Sequence, residues 1–249
     1  MKSNLSHRLS VGLRIVLLAA ATVVAAQAAD KTRVLVVTGG HDFETNQFFQ
    51  LFQDNPAITF LKATHPDAHA WLKPDQAAQY DVLVCYDMWP NITEEAKADF
   101  VARLKEGKGL VSLHHAIADY PKWDEYANII GAKYYLEKQV VNGVEKARSI
   151  YQHDVKFKVQ IAGPAHPVTR GVQNFEIHDE TYNLFDVQPG NRPLLKTSEP
   201  TSGPVIGWTK EYGKARVVYL QLGHDHFAYE NPNYRRLVAQ AIAWAAKRD

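Results

Sequence analysis

The sequence predicts an α/β domain with a largely parallel sheet and helices on both faces. Apolar, β-branched runs of strand length recur at 33–38 (RVLVVT), 81–85 (DVLVC) and 109–113 (GLVSL). Segments with helical spacing lie between them, and glycines at Gly39-Gly40, Gly107 and Gly109 punctuate the boundaries. Continuous apolar strands alternating with helices fit a sheet buried on both sides.

In chain order, residues 1–28 read as an export signal. Lys2, Arg8 and Arg14 give a basic start, residues 15–26 are almost wholly apolar, and Ala26-Gln27-Ala28 is a small-residue cleavage site. That apolar core is about half the ~20 residues a membrane span needs. The expectation is a secreted or periplasmic protein, cleaved after Ala28, with one domain over 29–249 and no stable membrane anchor.

The strand at 33–38 is followed by a helix over 44–53, with Phe48, Leu51 and Phe52 on one face. Strands come next at 58–63 and 81–85. Thr93 starts a helix reaching Lys105: its hydroxyl can accept an orphan backbone N–H, and Glu94 and Glu95 suit the positive end of the dipole. Gly107 and Gly109 end it before the strand at 109–113. Residues 123–130 suit a helix closed by Gly131, and residues 120–144 suit either a flap or a surface excursion.

Val155, Phe157 and Val159 alternate in phase, so 149–161 reads as an edge or antiparallel strand. The Gly163-Pro164-Ala165-His166-Pro167 segment is a rigid loop. Short strands are expected at 175–177 and 194–197. A hairpin joins 205–209 to 216–220 around Tyr212-Gly213-Lys214, and a closing helix over 233–247 carries Leu237, Ile242 and Trp244 near one face.

The 249 residues carry a net charge of +1 with no Lys/Arg cluster, so nucleic-acid binding has no electrostatic basis. Cys85 is the only cysteine, so no internal disulfide can form; it lies in an apolar run and reads as a buried small hydrophobe. A homo-oligomer is left open.

Histidines recur after strand ends. His41 follows the first strand, His114 and His115 follow GLVSL, His178 with Asp179 and Glu180 follows the strand at 175–177, and His224, Asp225 and His226 follow Gly223. In an open parallel sheet the carboxyl ends of the strands share one rim, where ligands bind. Such a rim suits general acid–base work or a metal such as Zn²⁺. Trp89, Tyr120, Trp123, Tyr134, Tyr135, Tyr182, Phe227 and Tyr229 could form a wall for a sugar ring, or serve as ordinary packing. There is no H-E-x-x-H, C-x-x-C, G-x-S-x-G, P-loop or G-x-G-x-x-G motif.

Four segments, in order and spacing, resemble the ThuA-like (trehalose utilisation) family of the class I glutamine amidotransferase-like fold. They are VLVVTGGHDFE at 34–44, GKGLVSLHHA at 107–116, HPVTRGVQNFEIHDETY at 166–182 and GKARVVYLQLGHDHFAYENPNY at 213–234. The resemblance implies a three-layer αβα sandwich with a flavodoxin-like, mostly parallel sheet and a C-terminal antiparallel hairpin. In the related amidotransferases a cysteine nucleophile follows the strand resembling GLVSL; here that position is His114. Their histidine lies in a motif resembling Q-F-H-P-E, and QLGHD at 221–225 occupies the similar place. Glutamine hydrolysis is therefore not expected.

The resemblance and the histidine rim together imply an exported enzyme of carbohydrate metabolism, a hydrolase, lyase or isomerase, acting on a small-molecule disaccharide or keto-sugar derivative. His114, His224, Glu180 and Asp179 are the expected catalytic groups, with Asp179 or Asp225 orienting an imidazole. His41, Trp89, His115, Tyr182 and Asp225 are expected to bind substrate. A metal-dependent version draws its ligands from His41, His114, His115 and His224, with His41, His114 and His224 the favoured set; a metal-free acid–base pair is the other version. The alternative is a non-catalytic sugar-binding or accessory protein.

Overall fold

The structure is a computed structural model that describes residues 30–249; the export signal expected over 1–28 lies outside the described residues. The chain runs β1 (Thr32–Gly39), α1 (Thr45–Gln53), β2 (Ile58–Thr64), a 3-10 turn (Asp67–Leu72) and α2 (Pro74–Ala77). Next come β3 (Val82–Asp87), α3 (Glu94–Glu106), β4 (Gly109–Leu113), a second 3-10 turn (His114–Ala118) and α4 (Asp124–Ile130). Then come β5 (Ala132–Lys133), β6 (Gln139–Val141), β7 (Val144–Lys146), β8 (Ile150–Ile161) and β9 (Phe175–Asn183). The remainder is β10 (Asp186–Val187), β11 (Arg192–Lys196), β12 (Val205–Tyr212), β13 (Ala215–Leu220), α5 (His226–Tyr229) and α6 (Pro232–Ala245).

The main sheet has the order β2-β1-β3-β4-β13-β12-β11-β8-β9. The first five strands are parallel, and the expected β12–β13 hairpin is antiparallel. Strands β11, β8 and β9 extend this antiparallel part. Because side chains alternate across a strand, β1 sends Val34 and Val36 to one face and Leu35 and Val37 to the other. The first face packs on α1 and α6 through Phe48, Phe52, Leu237 and Ile242. The second packs on α3 and α4 through Phe100, Leu104, Tyr126 and Ile129. The layers are helix, sheet, helix. Cys85 is buried in the second core, where burial pushes its thiol well above the usual range.

Local signals act as expected at α3: Thr93 Oγ1 accepts from Ala96 N at 3.1 Å, and Gly107 closes the helix in a left-handed conformation (φ 107°). Tyr134 and Tyr135 are buried, so that stretch of the 120–144 region packs down onto the domain rather than standing off as a flap.

The largest departure from expectation is β9. It continues past Ile177 through His178-Asp179-Glu180-Thr181-Tyr182, because β8 supplies a backbone partner along most of this polar stretch. Gln152 faces Thr181 and Val155 faces Asp179, so β8 carries one extra residue, a β-bulge containing His153 and Asp154. Only Gln160 and Ile161 of β8 pair with β11.

Candidate functional site

Strands β1, β4 and β13 are parallel, so the loops leaving their carboxyl ends share one rim. After β1, Gly40 has φ +81°, and a Cβ there would collide with the Met88 carbonyl. Glycine thus lets this loop pass close over the end of β3, and His41 follows. After β13, Gly223 (φ +119°) lies against the Tyr234 hydroxyl, leaving no room for a side chain.

His114 is the first residue beyond β4 and is fully buried in a left-handed conformation, φ +51°. A non-glycine residue there bears a backbone cost of about 1 kcal/mol, so its surroundings must hold it. They do: the Tyr219 hydroxyl donates to the His114 carbonyl at 3.0 Å, and His114 Nδ1 lies 2.7 Å from the Gln221 carbonyl. A carbonyl can only accept, so Nδ1 carries a proton, and the other ring nitrogen, Nε2, faces Tyr182 and Glu180. Tyr182 Oη lies 2.8 Å from Nε2, and Glu180 Oε2 lies 3.0 Å from it.

Glu180 and Tyr182 are two residues apart on β9, so both point to the same side of the strand. The Glu180 carboxylate meets three imidazoles: His114, His224 Nδ1 at 3.5 Å from Oε2, and His153 Nδ1 at 3.2 Å from Oε1. Burial pushes its carboxyl up, but hydrogen bonds from His114 and His224 outweigh this and hold it well below the usual range. Reciprocally, the hydrogen bond to Glu180 raises His224, against a smaller opposing effect of burial. Asp179 faces the other way and accepts the backbone N–H groups of Gly223 (2.8 Å), His224 (2.9 Å) and Glu180 (2.8 Å). Its buried carboxyl is raised by desolvation, against the pull of His114 and these donors.

The site opens into a cavity of about 260 Å³ lined by His41, His115, Tyr134, Arg148, His153 and Glu180, with Tyr182 and Met88 among the remaining walls. His41 stacks on His115 (centroids 4.7 Å apart) and bonds through Nδ1 to the Asp42 carbonyl at 2.7 Å. Burial, then the His114 and His41 rings, hold His115 well below the usual histidine range.

The structure therefore gathers His114, Glu180, His224, Tyr182, His115 and His41. It departs from expectation at four points. Neither Asp179 nor Asp225 orients an imidazole: Asp179 holds backbone, Asp225 Oδ1 caps α5 by accepting from Phe227 N at 2.9 Å, and the Gln221 carbonyl orients His114. Asp225, engaged in that cap, does not line the cavity. Trp89 stacks on His65 and lines a different cleft. His41 is not in the ligand group: its ring stacks on His115 with its centroid 6.5 Å from that of His224, and Glu180 takes the third place. Sequence reasoning missed His153, Arg148 and Gln221. The bulge that aims His153 needs two strands to define it, and Gln221 acts through its backbone.

His114, Glu180 and His224 offer ligand atoms that all lie within 4.8 Å of one another. Separations of 3.0 and 3.5 Å match the ~3.4 Å between ligands of a tetrahedral ion with ~2.1 Å bonds. An Nδ1–H held by a backbone carbonyl, with Nε2 turned toward the other ligands, is the usual posture of a metal-binding histidine; an ion there would take the place of an Nε2 proton.

The ThuA family model, described as trehalose utilisation, matches residues 33–245. A ThuA-like protein from Parabacteroides merdae has a similar structure, with a TM-score of 0.74 at 17% identity, covering 87% of this chain and 90% of that one. One from Bacteroides uniformis gives 0.66 at 19%, covering 89% and 94%. The cytoplasmic protein STM1381 from Salmonella typhimurium gives 0.61 at 12%, covering 86% and 99%. No curated protein matches in sequence. At these identities the structural likeness establishes the fold alone.

Proposed function

The chain belongs to the ThuA family, and from that premise we propose that it is a carbohydrate-active enzyme, a lyase, hydrolase or isomerase, acting on a disaccharide or its keto derivative. Its role is carbohydrate-related in the general sense of the family. The observation that carries the catalytic reading is the meeting of His114, Glu180 and His224 beside a cavity of about 260 Å³ that Glu180 lines, with His114 at the strained turn after β4. A binding module has no need of a left-handed histidine held by three hydrogen bonds beside a carboxylate kept charged.

In this reading His114 Nε2, Glu180 and His224 hold a divalent cation such as Zn²⁺. Such an ion supplies a Lewis acid that polarises a carbonyl or lowers the pKa of water. The chain's own groups do the rest. The Gln221 carbonyl fixes the His114 tautomer, and Asp179 fixes the backbone that carries His224. His153, half exposed at the cavity and 3.2 Å from Glu180, is placed to accept or return a proton. Tyr134, Tyr182 and Arg148 offer hydrogen bonds to hydroxyl groups.

The test is incubation of the purified protein with trehalose, other disaccharides and their 3-keto derivatives, with products detected by mass spectrometry. Turnover that disappears in His114→Ala supports the reading. Saccharide binding without turnover, undiminished in that variant, would instead favour the sugar-binding alternative. Export belongs to the same proposal: protein recovered from the producing cells should begin at Ala29, and an intact Met1 on cytoplasmic protein would contradict it.

A further inference from the structure

A second opening lies on the same rim, above the ends of β2 and β3. It is about 480 Å³ in volume, larger than the cavity at His114, and its walls include Trp89, Tyr120, Trp123, His69, Asn91 and Lys122. A ridge separates the two openings. Tyr120 N donates to the Trp89 carbonyl at 2.9 Å, and Trp89 N donates to Asp119 Oδ1 at 2.6 Å, lacing residues 88–90 to residues 118–120. On one side of the ridge Met88 and Ala118 line the His114 cavity. On the other, Trp89 and Tyr120 line the cleft.

The aromatic walls are built rather than incidental. Trp89 lies flat on His65, with centroids 4.8 Å apart and planes 5° apart, and His65 is pinned by Asp87 at 2.9 Å with neither side chain exposed. Trp123 packs edge-on against Phe100 and Tyr120, at 5.8 and 5.9 Å. Both tryptophans nevertheless remain only partly buried. A side chain recruited only for the core would be covered; these are held firmly and left open.

The polar fringe is of matching type. His69, whose pKa burial and the nearby His65 lower to about 4, is neutral at pH 7 and shares a 3.0 Å hydrogen bond with the Tyr120 hydroxyl. Asn91 and Lys122 add exposed hydrogen-bonding groups, and among the described residues no carboxylate lines the cleft. Rigid aromatic faces ringed by neutral and cationic donors suit a ligand with apolar C–H faces and many hydroxyls.

We infer that this aromatic cleft is a second saccharide-binding subsite, which holds a sugar unit across the ridge from His114. Its ligand class rests on the carbohydrate reading above, but its existence does not depend on catalysis. The cleft would extend the protein's grip beyond the cavity beside His114 to a longer saccharide.

The experiment titrates glucose, trehalose and maltotriose into the His114→Ala protein, which cannot turn substrate over, and monitors tryptophan fluorescence and NMR shifts. Saturable binding that improves with chain length is expected. Trp123→Ala should weaken it at least about tenfold, and the surface double variant Asn91→Ala/Lys122→Ala, which leaves the aromatic packing intact, should weaken it as well. The inference is overturned if none of the three sugars binds saturably, or if binding is unchanged in both variants. Failure of the catalytic reading looks different: no turnover by the wild type, with Trp123-dependent binding retained, removes the enzyme and leaves the subsite.

Discussion

Two histidine–carboxylate clusters sit on the same rim and differ in their access to solvent. One is His114, Glu180 and His224, at the ends of β4 and β13 and on β9. The other is His65, Asp87 and Asp119, at the ends of β2 and β3 and in the turn after β4. In the first, His224 and His153 reach solvent beside a cavity, and imidazoles keep the Glu180 carboxylate charged. In the second, the side chains of His65 and Asp87 have no exposure, Trp89 roofs them, and burial followed by the neighbouring Asp87 pushes the Asp119 carboxyl well above the usual range. Similar residue types at similar strand ends thus meet solvent very differently. The open cluster is accessible to protons and ligands from solvent, whereas the sealed one is not.

The contrast can be broken by exchanging the consequences of mutation. Glu180→Gln, which removes a proposed cation ligand, should lower kcat/KM by more than the ~10–100-fold that loss of an outer-shell partner costs, with a smaller fall in Tm than Asp87→Ala. Asp87→Ala should do the reverse. Removing one partner of a buried pair costs about 3–5 kcal/mol, visible in urea unfolding, while activity per folded molecule stays near the wild-type value. If Asp87→Ala abolished activity in a stably folded protein, the roles assigned to the two clusters would be wrong.

Asp179→Ala probes the support beneath the open cluster. It strands three backbone N–H groups, each worth about 1–3 kcal/mol when buried and unpaired, and frees the segment bearing His224. Stability and activity should fall together; loss of either alone would show that Asp179 does not couple them.

The smallest effect expected is one of pH, at the margin of the sealed cluster. His69 has a folded pKa of about 4, against about 6.5 in the unfolded chain. Between these values the unfolded state binds more protons, so stability rises with pH across that window and is lost as pH falls from 6.5 to 4. His69→Gln, which keeps a partner for Tyr120, should flatten the slope of Tm against pH there. An unchanged slope would mean that His69 is not held neutral.

Much of this architecture is legible in the residues. The parallel strands announce themselves because burial on both faces demands unbroken β-branched runs, and His41, His114, His115 and His224 come directly after strand ends. Apolar patterning alone puts Glu180 beyond its strand, because the polar sequence His178-Asp179-Glu180-Thr181 breaks it; only pairing with β8 keeps the segment extended. The orienting partner of His114 is a backbone carbonyl, which any residue at position 221 could provide, so no side-chain motif marks it. His153 depends on a bulge set by two strands. Asp225 has the chemistry of an imidazole partner, yet the short helix after it uses the carboxylate as a cap.

The divalent-cation centre proposed at His114, Glu180 and His224 is the part of the account most open to direct measurement. Titration calorimetry of Zn²⁺ into chelator-stripped protein, alongside Glu180→Gln and His224→Ala, tests it most directly. The expected result is one ion per chain in the wild type, binding lost or greatly weakened in both variants, and turnover restored to the stripped wild type by the ion. Full turnover by wild-type protein shown by elemental analysis to be metal-free, or equal Zn²⁺ binding by all three proteins, would contradict the claim.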